Sequence, residues 1–187
     1  MVTHLKQTQS GRSMIEMLGV LAIVGVLSAG GIAGYSMAMQ SYKTSALVEK
    51  VNLIAQQGRV LYNGQYSNTT DGENSNTTDG KMGKKLVSAG MITDLNNPFG
   101  GVLTVTGATT TFTVTSTANI PAEACIKLLR TNWGTTGVFT SVSATKGETT
   151  KSFYSAPGED QNPSPATAAK ATSACKDGNI EMEWTFK

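Results

Sequence analysis

Residues 16–43 read EMLGVLAIVGVLSAGGIAGYSMAMQSYK, and this apolar stretch between two charges decides the fold. No charged side chain lies between Glu16 and Lys43. At about 1.5 Å rise per residue, a helix of this length crosses the ~30 Å hydrocarbon core of a bilayer. An ionised carboxylate at the edge of such a core costs several kcal/mol, so it is expected to have a functional partner. The stretch therefore predicts a membrane-spanning helix with a functional glutamate at its start.

A plain single-pass membrane anchor is the alternative for this helix. An anchor needs only apolar side chains and has no use for a carboxylate at its start. Small residues, which let the backbones of neighbouring helices approach closely, recur along the run. They are Gly19, Gly25, Ser28, Ala29, Gly30, Gly31 and Gly34. Glu16 and these residues together favour a helix that binds other helices.

Composition narrows the possible classes of function. The 187 residues suit one small domain with an appended segment. The formal net charge is +2 and the charges are dispersed, so no basic patch indicates a nucleic-acid site. No group of residues has the spacing of a catalytic, cofactor-binding or metal-binding site. We therefore expect no enzyme activity, no cofactor and no metal.

The two cysteines, Cys125 and Cys175, leave two possibilities open. They form a disulfide, which fits a domain outside the cytoplasm, or they are buried free thiols. A disulfide closing a loop of this length, about 50 residues, would contribute roughly 4 kcal/mol in the chain-entropy model.

The helical pattern continues past the apolar run, over residues 43–64. Apolar or small side chains recur every three or four residues, which places them on one helix face. They are Leu47, Val51, Ile54, Gly58 and Leu61, and polar residues that include Lys50 and Arg59 occupy the other faces. This amphipathic half of the helix is predicted to pack on the chain's own head, with a short coiled-coil seam as the alternative.

Residues 65–187 are predicted to form a β-rich head, which makes the fold class α+β. A hairpin is expected around Gly107, a strand over 138–142 and a final strand over 180–186, whose alternation is the clearest in the chain. Short helices are expected over 84–89 and 120–130, and a proline-rich loop over 158–165. Two copies of SNTTDG, at 67–72 and 75–80, predict an exposed loop because they contain no apolar residue.

The start of the chain resembles the processing site of type IV pilins. Gly11 is followed by Arg12, and Glu16 stands five residues after the glycine at the start of the hydrophobic helix. In the resembled family a prepilin peptidase cuts after the glycine and methylates the new N-terminus, here Arg12, where the family usually has Phe or Met. The resemblance implies a cleaved leader over 1–11, which holds the only histidine, and a transmembrane and assembly helix over 12–42.

The C-terminal part carries a second resemblance. The pattern NIPAEACIKLL at 119–129, followed by SAC at 173–175 and NIEMEWTF at 179–186, is similar to the heads of type IVb pilins. It is most similar to the thin-pilus (PilS-type) subunits. This resemblance implies that Cys125, on a helix, is bridged to Cys175, before the last strand.

The implied function is that of a structural subunit. The precursor would reside in the bacterial inner membrane and would then polymerise with identical copies into an extracellular pilus for adhesion or conjugation. The expected partners are the prepilin peptidase, the inner-membrane assembly platform and other subunits, whose N-terminal amine would pair with Glu16. A minor pilin, or a pseudopilin of a type II secretion-like system, is the alternative.

Overall fold

The computed structural model describes residues 14–66, 81–159, 161–176 and 178–187. The predictions for the leader, for Arg12 and for the repeated SNTTDG segment lie outside these residues. Helix α1 runs over Met14–Tyr62. The chain divides between Gln40 and Ser41 into two compact units, so that α1 contributes to both.

In the first unit α1 is helical from Met14 onward, and every residue over 14–38 is exposed. The helix forms here without help from packing within the subunit. In water its glycines would weaken it, since each costs about 1 kcal/mol relative to alanine. In a bilayer an unpaired backbone is far more costly, and a helix satisfies its own hydrogen bonds.

The second unit is built on a six-stranded sheet. The strands lie in the order β1-β2-β6-β3-β4-β5, and all neighbours are antiparallel except β4 and β5. The predicted antiparallel sheet is therefore confirmed apart from one short parallel pair at its edge. The strands are β1 Leu103–Gly107, β2 Phe112–Ile120, β3 Phe139–Lys146, β4 Thr149–Tyr154, β5 Asn162–Pro163 and β6 Ile180–Phe186.

Three short helices accompany the sheet, namely α2 Lys81–Ser88, α3 Ala122–Leu129 and α4 Ala168–Ala174. Helix α3 is shorter than predicted because Ile120 still pairs with Ile180 in the sheet. Pro121 then forms the N-cap in an extended conformation, so the helix begins at Ala122. Strand β4 and helix α4 were not predicted, and β5 lies inside the predicted loop over 158–165.

The core lies between the sheet and the second half of α1. Strand β6 alternates as its sequence predicts, with four buried apolar residues on one face and two exposed glutamates on the other. The buried residues are Ile180, Met182, Trp184 and Phe186. The predicted stripe of α1 is buried in the same core, and it includes Leu47, Val51, Ile54 and Gly58. The coiled-coil alternative is therefore wrong, because the head itself covers the stripe.

Gly58 explains how closely α1 approaches the sheet. A Cβ at this position would lie 2.9 Å from the terminal methyl of Met82 and 3.4 Å from the ring of Phe112. The end of the Met82 side chain would therefore have to move to admit a Cβ, whereas the ring of Phe112 already lies at van der Waals distance from that position. A glycine in the sequence stripe lets α1 pack here without displacing Met82.

Candidate functional site

Glu16 lies in the first turn of α1 and is exposed. A carboxylate in the first turn is favoured by the helix dipole by about 0.3–1 kcal/mol. No described residue over 14–40 forms a salt bridge with it.

The side chains that follow Glu16 form a continuous apolar surface. Leu18 is 63% exposed, Leu27 69% and Ile32 73%. In the described part of the chain, α1 is the one helix long and apolar enough to cross a membrane. Exposed apolar surface of this extent marks a membrane-binding or protein-binding region.

No described residue packs against the glycines of this half of α1. A Cβ built at Gly19, Gly25 or Gly34 would meet no atom within 4 Å, and the same holds for Gly30 and Gly31. Gly58 differs, because neighbouring side chains fill the space beside it.

In the second unit, an ion pair fixes α1 to the segment after α2. The Lys50 ammonium donates to the Asp94 carboxylate at 2.6 Å and to the Asn96 carbonyl at 2.9 Å. The hydrogen bond from Lys50, and a second one from the Asn96 backbone N–H, lower the pKa of Asp94 below its usual value. Lys50 lies off the buried stripe, as the sequence predicted, and it bonds to the head from that position.

Arg59 makes a second set of contacts between α1 and the sheet. Its Nε donates to the Lys187 carbonyl and one terminal nitrogen donates to the Val138 carbonyl, both at 2.8 Å. The guanidinium also lies 5.7 Å from the ring centroid of Phe186, a cation–π distance. Partial burial lowers the pKa of Arg59, although an arginine stays charged at any physiological pH.

The sequence analysis placed Arg59 on a face other than the apolar stripe and did not predict these contacts. The available signal was its position beside Gly58, at the edge of the buried stripe. A long side chain at such an edge can cover apolar surface with its stem and reach polar groups with its head. The two carbonyls belong to strand ends far away in sequence, and local periodicity carries no information about them.

Cys125 and Cys175 form a disulfide, as the resemblance implied. Cys125 lies within α3 and Cys175 is the C-cap of α4, with their Cα atoms 5.9 Å apart. Both are fully buried, and the bond closes a separation of 50 residues just before β6. The alternative of two free thiols is therefore wrong.

The structure thus brings the two cysteines together, while Glu16 stands alone among the described residues of its unit. Gly11 and Arg12 lie outside the described residues, so the processing site stays a prediction. Across the described ranges, His, Cys, Asp and Glu side chains form no group of three or more that could hold a metal ion.

Comparisons with known proteins agree with this architecture. A family model described as PilS N terminal matches residues 41–187. The chain is 29% identical over 186 residues to the major structural subunit of the bundle-forming pilus of Escherichia coli O111:H-, covering 97% of this chain and 95% of that protein. The crystal structure of TcpA, a type IV pilin from Vibrio cholerae El Tor biotype, matches with a TM-score of 0.54 and 16% identity, over 77% of this chain and 98% of that one.

A long N-terminal helix that is bare in its first half, and covered by a disulfide-containing β-sheet head in its second, defines a type IV pilin. The fold rests on the structural match, and the family on the match to the family model. Because the family model spans most of the chain, this protein belongs to the PilS family. The predicted resemblance to PilS-type pilins is confirmed.

Proposed function

We propose that this chain is the structural subunit of a type IV pilus and that residues 14–40 are the surface through which it polymerises. One observation carries the proposal. The same helix is covered by the head in its second half and is entirely uncovered in its first, where it exposes a continuous apolar surface.

The uncovered half suits two successive environments. In the precursor its apolar side chains contact lipid, and in a filament they contact the same half of other copies. Both environments are apolar, so the transfer costs little free energy and the subunit can leave the membrane. Because lipid is as apolar as leucine, helix association there depends on close packing rather than on the hydrophobic effect. The glycines of this half have free space at their Cβ positions among the described residues, so a neighbouring helix could approach closely there.

Glu16 is proposed to set the register of this packing. Its partner would be the N-terminal amine of a neighbouring subunit, created when the prepilin peptidase cuts between Gly11 and Arg12. Leaving one charge unpaired in an apolar environment costs several kcal/mol, so a subunit docked in the wrong register would be penalised. This role needs no enzyme activity from the subunit, and the assembly platform of the inner membrane would drive the extraction.

The subunit is proposed to be a major pilin of an extracellular filament. The relative over nearly the whole chain is named a major structural subunit, which supports this choice over a minor pilin or a pseudopilin. Use of the filament in adhesion or in conjugation stays a prediction from the resemblance.

The experiment compares two glutamates on the same helix. Glu16→Gln removes the charge in the exposed half, and Glu49→Gln, the control, removes an exposed charge in the half that the head covers. Cells that express each variant alone are sheared, and filaments are counted by electron microscopy. We expect Glu16→Gln to give a membrane-held subunit with an intact disulfide and few or no filaments, while Glu49→Gln assembles normally. Normal filament numbers with Glu16→Gln would overturn the pairing role.

A further inference from the structure

The head end of α1 carries the only asparagine–glycine pair of the chain. The helix ends at Tyr62, and both following residues have left-handed backbone, with φ of 47° at Asn63 and 81° at Gly64. Asparagine and glycine are the residues that adopt this conformation most readily, so the pair stops the helix. Both residues are exposed to solvent.

The backbone nitrogen of Gly64 is open to reaction. The N–H groups on either side are bonded, that of Asn63 to the Arg59 carbonyl at 2.9 Å and that of Gln65 to the Tyr62 carbonyl at 3.0 Å. No described residue accepts a hydrogen bond from the Gly64 N–H. A Cβ at this position would meet no described atom within 4 Å, so no described side chain crowds this residue.

We propose that Asn63 is a site of spontaneous deamidation. The Gly64 nitrogen loses its proton to solvent base and attacks Cγ of Asn63, and the bond from Cγ to the side-chain nitrogen breaks as ammonia leaves. The product is a five-membered succinimide. Water then adds to either of its two carbonyls and opens the ring, which leaves aspartate or isoaspartate at position 63. No oxidant or reductant is needed, and water is the only co-reactant. Glycine favours the attack because it has no side chain beside the nitrogen.

Deamidation changes the segment that connects the end of α1 to the rest of the head, residues 63–66. A carboxylate just after a helix C-terminus is disfavoured by the helix dipole. Isoaspartate also adds a main-chain atom three residues before Tyr66, which is buried with its ring 4.7 Å from that of Phe112. The Tyr66 carbonyl packs against the backbone of Gly107, in the space that a side chain would fill at that position. The segment that contains Tyr66 therefore has little room to shift towards β1. We therefore expect deamidation to destabilise this corner of the head.

The chain contains a matched internal control. Asn179 has the same left-handed backbone, with φ of 52°, and is also exposed. It is followed by Ile180, a β-branched residue that is fully buried in β6 and paired with Ile120. The backbone nitrogen of Ile180 is therefore shielded within the sheet, whereas that of Gly64 lies in an exposed turn.

The test is incubation of the folded, full-length protein at mildly alkaline pH, followed by digestion and mass spectrometry. Chymotrypsin, which cuts after Tyr62 and Tyr66, isolates residues 63–66 from the Asp–Gly pairs elsewhere in the chain, which form isoaspartate without a change of mass. We expect the mass gain that accompanies exchange of NH₂ for OH, together with isoaspartate detected by isoaspartyl methyltransferase labelling, to accumulate on this peptide. The peptide that contains Asn179 should show no mass gain, and Asn63→Gln should abolish both signals on the peptide 63–66. A folded protein unreactive at Asn63 while the unfolded chain reacts would overturn the proposal, and so would equal rates at the two asparagines.

A second measurement tests the consequence for the head. The modified and unmodified fractions are separated by ion exchange and melted while tryptophan fluorescence is followed. We expect the isoaspartate fraction to unfold at a lower temperature than an Asn63→Asp variant, which carries the charge without the added main-chain atom. Equal unfolding temperatures for the modified and unmodified fractions would contradict the expected destabilisation of the head. None of these outcomes depends on filament assembly.

Discussion

Residues 14–40 and residues 41–62 belong to one helix, yet their surroundings in the subunit are opposite. In the first segment Leu27 is 69% exposed, and in the second Leu47 is fully buried. In the first segment no described atom lies within 4 Å of the Cβ position of any glycine. In the second segment, Met82 and Phe112 lie within 4 Å of that position at Gly58. Both segments are α-helical, but only the second is covered by the head.

This difference shows that apolar character alone does not predict whether a residue is buried within its own subunit or exposed on its surface. In the second segment the apolar residues form one stripe, because only one face meets the head. In the first segment they surround the helix, which is the pattern expected if lipid or other subunits approach from all sides, as proposed above.

The largest expected effect comes from truncating matched leucines in the two segments. Leu47→Ala should lower the free energy of unfolding of the head by about 2–5 kcal/mol, because it removes fully buried methyl groups and leaves a cavity. Leu27→Ala should leave it unchanged. Both tryptophans lie in the head, so their fluorescence in detergent-solubilised protein reports unfolding of the head alone. A similar loss for both variants would erase the contrast between the segments.

A smaller effect is expected from the contacts that tie the second segment to the sheet. Arg59→Met keeps the length and the apolar stem of the side chain but removes the donors to the carbonyls of Val138 and Lys187. We expect a loss of roughly 1.5–3 kcal/mol, the range for hydrogen bonds that involve a charged group. Chemical denaturation followed by tryptophan fluorescence checks this. Arg59→Met with wild-type stability would show that the two bonds are not needed to hold the helix.

The smallest effect concerns pH and the ion pair between Lys50 and Asp94. The pKa of Asp94 is lowered in the folded protein, so the unfolded chain binds its proton more readily. The stability from this carboxylate is therefore present above its ordinary pKa and is lost as the pH falls through the lowered value. Asp94→Asn should remove that part of the acid dependence, measured as melting temperatures from neutral pH down to about pH 3. An unchanged pH profile would exclude Asp94 as a contributor.

The sequence predicted those features whose cause is local or periodic. The stripe of α1 and the alternation of β6 were recognisable because burial on one face leaves a period in the sequence. Helix α4 was missed because AAKATSA shows no such period. Its start depends on Thr167, whose side chain accepts from the Lys170 N–H, and its end on the disulfide at Cys175.

The contacts of Lys50 and Arg59 were missed for a different reason. Their acceptors are mostly backbone carbonyls, at Asn96, Val138 and Lys187, and a carbonyl carries no sequence signature. Glu16 was recognised because a carboxylate beside an apolar run is costly wherever it occurs. Its partner stays a prediction, because that partner is expected on another subunit.

The central claim is that the uncovered half of α1 is covered by the same half of neighbouring subunits in a filament. The most direct test is a photo-crosslinking amino acid at Leu27, activated in purified, intact filaments, with the same group at the exposed head residue Thr109 as control. The account predicts covalent dimers from position 27 whose crosslinks map within residues 14–40 of the second copy, and none within that segment from position 109. Crosslinks from position 27 that reach only heads or lipid would contradict it.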